Sequence, residues 1–164
     1  MEHSTGEYRT ALHEAAHAVI ALELGVSVEE ATIDPCGTTG HVKHGETTAE
    51  QEAMIAMAGP MADAKTGVDY DMDWAREKGE VWELLPEVAE ERGIELDPED
   101  RTEQLKASRD ELASEVRRLL KKRWASIHAV AEALITHRTL DGTAIQHIAY
   151  GSPSVAAFRL RRHD

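Results

Sequence analysis

A chain of 164 residues, 41% of them hydrophobic, has the length and the material for one buried core. Only 4% of the residues are aromatic, so Ala, Leu, Val, Ile and Met must fill that core, in a composition rich in helix formers. Eighteen basic against 31 acidic side chains leave a net charge of −13, which repels nucleic acid and anionic membranes, so neither is expected as a partner.

Cys36 stands alone, which excludes an internal disulfide and fits a reducing cytoplasm. The uninterrupted apolar stretches are short, Ala18–Leu22 among them, and fall far short of the roughly 20 residues that span a bilayer. Met1–Tyr8 is polar and lacks a signal-peptide core. The basic runs Arg117–Arg123 and Arg159–Arg162 read as solvated faces or tails.

In chain order, Ser4 and Glu7 form a capping box that predicts a helix from about Gly6 to Leu24, stopped by Gly25. Val26–Ile33 reads as a strand ending at Asp34-Pro35. After the turn-rich Cys36–Gly40, His41–His44 reads as a second short strand closed by Gly45. Thr47 and Thr48, followed by Glu50 and Gln51, open a helix to about Lys65, which Gly59-Pro60 is expected to kink or interrupt. A third helix spans about Met72 to Arg92, with a break expected at Pro86. Asp97-Pro98 predicts the start of a long helix reaching His137, whose length suggests a helical hairpin or an extended arm. Asp141 caps a last short helix, Gly142–Ala149, before a loose tail. The expected class is α+β and predominantly helical: one domain over 1–164, with a metal-site core in 1–75, a helical part in 76–150 and the tail in 151–164.

His13-Glu14-Ala15-Ala16-His17 has the form H-E-x-x-H. Residues four apart share a helix face, so two imidazoles at this spacing can converge on one metal ion. The Glu beside the first His is then placed to activate a metal-bound water as general base. With nine His and 21 Glu, the bare pattern arises in roughly 6% of shuffled chains, so its context matters. That context is the apolar part of a predicted helix, where two His without a partner are costly to bury. Catalytic zinc usually takes three protein ligands and keeps one position open. Spacing leaves the third ligand open among His3, His41, His44, His128, His137, His147, His163 and the acids Asp69, Asp71 and Asp73.

The stretch from Tyr8 to about Ala75 resembles the peptidase domain of the FtsH-type zinc proteases, peptidase family M41. T-A-L-H-E-A-A-H-A-V-I-A is similar to that family's H-E-A-G-H-A helix, and A-T-I-D-P-C-G-T-T-G-H-V to its strand and turn. A-M-A-G-P-M-A-D at Ala56–Asp63 and D-M-D-W-A at Asp71–Ala75 follow in the family's order. The resemblance implies a zincin-like active-site helix with a small sheet, followed by a helical bundle or a long helical hairpin. It also implies zinc as cofactor and an aspartate as third ligand, here Asp71 with Asp73 as rival. Asp63, where the family has Glu, becomes a group behind a ligand histidine.

The expected function is that of a zinc metalloendopeptidase acting on unfolded or flexible polypeptides, with Glu14 as its base. Peptide would lie along Thr38, Thr39, Gly40, His41 and Val42 by strand addition. The family's phosphate loop G-x-x-x-x-G-K-[ST] does not occur in the sequence, so no ATP is expected to bind this chain and the domain is expected to stand alone. The contrasting expectation is a protease-like binding or adaptor module that works with a separate ATPase or partner protein; a homo-oligomer is the other partnership expected. A peptide deformylase, which also carries H-E-x-x-H, would place a ligand Cys upstream of the motif, whereas Cys36 lies downstream.

Overall fold

The computed structural model describes residues 5–67 and 72–151, with 72–78 described by their backbone alone. Among these residues it has five helices and three strands: α1 (Thr5–Glu23), β1 (Val28–Ile33), β2 (Gly40–His44), α2 (Ala49–Lys65), α3 (Met72–Glu91), α4 (Arg101–His137), β3 (Thr139–Asp141) and α5 (Gly142–Tyr150). The strands form one antiparallel sheet in the order β2-β1-β3. The α+β, predominantly helical class expected from the sequence is therefore what the chain adopts. No helix among the described residues is long and apolar enough to cross a membrane.

α1 is the hub, packing against α2, α4, α5 and the strands β1 and β2. Its alanines make this possible. Ala11, Ala15, Ala16, Ala18 and Ala21 are wholly buried and let neighbouring elements approach closely, while Leu12, Val19 and Ile20 supply apolar volume. Each such large side chain, when fully buried, contributes about 1.5–3 kcal/mol. Leu120, Ile127 and Leu134 of α4 and Leu85 and Val88 of α3 belong to the same core. α1 ends as its sequence predicts. Gly25 takes a left-handed φ of 79°, the Gly25 amide donates to the carbonyl of Leu22, and that of Val26 donates to Ala21. Those bonds delay β1, which starts at Val28 rather than Val26.

α2 opens on a complete capping box between Thr48 and Gln51. Glu91, at the end of α3, also accepts from the amides of Ala49 (2.8 Å) and Glu50 (3.1 Å). Arg92 then forks onto Glu50 at 2.9 and 2.8 Å and reaches Glu111 of α4 at 2.9 Å. The three helices are thus tied together at one end.

Four expectations need correction. Gly59-Pro60 does not interrupt α2, and Pro86 does not break α3: both helices run through their prolines. The tertiary packing of α2 on α1 and α3 holds the proline turns helical despite the missing amides. Asp97-Pro98 does not open α4. Asp97 instead accepts from the amide of Glu99 within a turn, and the helix starts at Arg101. α4 is no extended arm either, since it packs on α1, α2, α3 and α5. The third strand, Thr139–Asp141, was not expected. It fits because Gly142 approaches β1 so closely that a Cβ there would lie 1.8 Å from the carbonyl oxygen of Val28. Asp141 caps α5 as expected, accepting from the amide of Ala144 at 2.8 Å. The loose tail expected over 151–164 lies outside the described residues from 152 onward, as does Ser4 of the first capping box.

Candidate metal centre

The H-E-x-x-H residues sit in the third and fourth turns of α1, where it is covered by α2 on one side and by the start of β2 on another. Two helical stripes meet there. On α1, Arg9, His13 and His17 recur every four residues; on α2, Ile55, Gly59 and Asp63 do the same. The stripes run antiparallel. The Arg9 guanidinium lies 3.6 Å from Asp63, His13 contacts Asp63 at 2.9 Å, and His17 contacts Ile55 at 2.7 Å.

These contacts set the tautomers. A carbonyl oxygen can only accept, so the Nδ1 of His17 must carry the hydrogen that it donates to Ile55. The carboxylate of Asp63 accepts in the same way from Nδ1 of His13. In a neutral imidazole the lone pair is then on Nε2. Both Nε2 atoms point at one place: a Cβ built on Gly59 would stand 2.5 Å from Nε2 of His13 and 2.5 Å from Nε2 of His17. The rings meet edge to face with centroids 4.7 Å apart. Glycine at 59 leaves the space into which two lone pairs converge. Paired imidazoles with their Nδ1–H groups anchored match the donor chemistry of a zinc site. Asp63 is 8% exposed, and its Oδ1 has no hydrogen-bond partner among the described residues.

Glu14 lies beside these rings on a different face of α1 and is 7% exposed. Gly40, the first residue of β2, covers it. A Cβ there would come within 2.5 Å of Cγ of Glu14 and 2.7 Å of the carbonyl oxygen of Thr32. Gly40 pairs with Ile33 across the sheet. Before it, Asp34 organises the turn by accepting from the amides of Thr38 (2.6 Å) and Thr39 (2.9 Å) and from the Thr38 hydroxyl (3.0 Å). Those bonds, the one from Thr39 foremost, hold the Asp34 carboxyl below its ordinary range. His41 and Lys43 project from β2 into solvent, near Glu30 of β1 at 3.7 and 3.4 Å, and Val42 and His44 are half-buried.

The structure therefore brings His13, Glu14, His17, Asp63 and Gly40 together, with Thr38 and Thr39 in the turn before Gly40 and His41 and Val42 along the strand after it. Asp69 and Asp71 lie outside the described residues, and so does the side chain of Asp73. Among the described residues no cluster of three or more His, Cys, Asp or Glu could hold a metal ion. Of the other His candidates, His128 is bonded to the Tyr8 hydroxyl and meets the Trp124 ring edge to face, and His44 donates to the carbonyl of Gly45. Cys36 is exposed in the turn.

Sequence reasoning missed Gly59 and the carbonyl of Ile55. The first had a signal: Gly59 stands four residues before Asp63 and shares its helix face. The second is a backbone atom, which side-chain pattern cannot single out. No known family model matches the chain, and no curated protein matches it either.

Proposed function

We propose that the chain is a zinc metalloendopeptidase that hydrolyses unfolded or flexible polypeptides without ATP. The observation that carries this reading is the convergence of two lone-pair nitrogens beneath Gly59, each ring anchored through its Nδ1. His13 and His17 would hold the metal, with Asp71 as third ligand and Asp73 as its rival. When bound, zinc supplies Lewis acidity, which lowers the pKa of a water and polarises a peptide carbonyl.

The rest is done by the chain's own residues. Asp63 keeps His13 in the tautomer that presents Nε2, and the Ile55 carbonyl does so for His17. Glu14, beside the ligand histidines, is the base that takes a proton from the attacking water and passes it to the leaving amine. Its burial under Gly40 keeps bulk water from the carboxylate's covered side. The strand from Gly40, with Thr38 and Thr39 before it and His41 and Val42 within it, receives extended substrate by strand addition. The site is in this sense zincin-like, and the resemblance to the M41 peptidases supports the same assignment. The single cysteine fits work in the cytoplasm.

Metal analysis with a peptidase assay tests the reading. One zinc per chain is expected, lost in His17→Ala and in one of Asp71→Asn or Asp73→Asn. Glu14→Gln should keep its zinc and lose cleavage of an unfolded, fluorescently labelled polypeptide by at least about a hundredfold. A Glu14→Gln protein that cleaves as well as wild type refutes the mechanism. Zinc bound without turnover in the wild type would favour a protease-like adaptor instead.

A further inference from the structure

Arg138 departs from ordinary backbone behaviour. Its φ of 65° makes it the one non-glycine residue with positive φ among the described residues, at the end of α4 where glycine is the usual occupant. Its amide donates to the Leu134 carbonyl at 2.7 Å, and its own carbonyl accepts from Ile33, the last residue of β1, at 2.9 Å. The guanidinium forms an ion pair with Glu7 in the first turn of α1, while its Nη1 is buried with no hydrogen-bond partner among the described residues. A strained backbone and an unmatched buried donor are both unfavourable, so a feature that persists in spite of them invites a functional reading.

Glu7 leads onward. Gly37, at φ 69°, sits directly on it: a Cβ on Gly37 would lie 2.7 Å from Cγ and 2.8 Å from Cβ of Glu7. Gly37 belongs to the turn that Asp34 organises, and two residues after Thr38 that turn delivers Gly40 onto Glu14. Arg138, Glu7, the Gly37 turn, Gly40 and Glu14 thus form one continuous run of contacts from the end of α4 to the candidate base.

We propose that the Arg138–Glu7 ion pair is a positioning device: it fixes Glu7 as the seat of the Asp34–Thr39 turn and thereby sets Gly40 over Glu14. Neither residue touches substrate. The part of this proposal that concerns turnover rests on the peptidase reading given above; the part that concerns the turn does not.

Hydrogen–deuterium exchange on the full chain, with zinc titration and peptidase kinetics, tests it on Glu7→Gln and Arg138→Gly. The glycine variant also relieves the backbone strain, so it should fold, and Glu7→Gln gives an independent route if it does not. Exchange of the amides of residues 37–41 should accelerate about tenfold in each, with the core of α1 and α4 unchanged. Zinc affinity should stay within about twofold of wild type, because the histidine anchors are untouched, while kcat falls about tenfold or more from a misplaced Glu14. Arg138→Lys, which keeps the charge, should recover part of both effects. Unchanged exchange in residues 37–41 overturns the proposal. Accelerated exchange with wild-type kcat overturns the link to Glu14. If wild type shows no turnover at all, the peptidase reading fails, and the exchange data still decide whether the ion pair seats the turn.

Discussion

Replacing Gly59 with alanine tests the metal centre at its narrowest point. The new methyl would stand 2.5 Å from the Nε2 atoms of both His13 and His17. Nonbonded heavy atoms rest at roughly 3.5 Å, so about 1 Å must be recovered against two rings at once. Neither ring can swing away alone, since His13 is bonded to Asp63 at 2.9 Å and His17 to Ile55 at 2.7 Å. If the rings move, those hydrogen bonds are lost at about 1 kcal/mol each. If α2 moves instead, Ile55 and Asp63 leave with it, and the same bonds break. Overpacking of this kind costs about 1–3 kcal/mol in stability. Disturbing the groups behind metal ligands weakens affinity about 10–100-fold, or about 1.4–2.8 kcal/mol. Zinc competition against a chromophoric chelator, with urea unfolding of the metal-free protein, reads both quantities. Gly79→Ala is the control: Gly79 is exposed in α3 with nothing near its missing Cβ among the described residues, and alanine there should stabilise by about 0.5–1 kcal/mol. Wild-type zinc affinity in Gly59→Ala would refute the idea that the two nitrogens converge on this space.

Asp63→Asn should weaken zinc binding about 10–100-fold, because His13 loses a charged acceptor and a buried amide gains an unmatched donor; the same competition titration measures it. Gly142→Ala should destabilise the fold by about 2 kcal/mol or more in urea, since its methyl would meet the Val28 carbonyl at 1.8 Å, and an unchanged midpoint would contradict the close approach of α5 to β1. The third expectation concerns pH. Burial pushes the Glu23 carboxyl up, but hydrogen bonds from Lys122, Tyr150 and Arg123 outweigh it and leave the group below 4.5. Its contribution to stability is therefore complete above about pH 4.5 and is lost as pH falls through the lowered folded value. Glu23→Gln should be less stable than wild type by about 1–3 kcal/mol at neutral pH and should lose less on acidification, as followed by urea unfolding between pH 7 and pH 3. Parallel pH curves for the two proteins would contradict this.

Local signals in the sequence located most elements. The Gly25 stop and the Thr48–Gln51 capping box depend on backbone chemistry within a few residues, and both appear as read. The prolines misled because their cost is local, whereas the packing that holds α2 and α3 helical comes from distant parts of the chain. Thr139–Asp141 escaped notice because a three-residue strand has no period of its own; pairing with β1 alone makes it one. At the candidate site, spacing within α1 was enough to place His13, Glu14 and His17 together. What spacing could not supply is the crossing partner: that Gly59 opens the space, that Asp63 and a carbonyl hold the rings, and that Gly40 covers Glu14. Those facts depend on how α2 and β2 cross α1.

Pro60 has a further consequence. It has no amide hydrogen, so the carbonyl of Ala56 receives nothing from the next turn, and α2 carries a slack rung beside the Ile55 carbonyl that serves His17. A substitution such as Pro60→Ala would complete the ladder and make the helix intrinsically stronger. The change would fall on the rung next to the Ile55 carbonyl, which accepts from the ring of His17. Any stiffening of this turn therefore acts beside an atom that steadies a candidate ligand, which makes it a poor place to look for harmless thermostabilising changes.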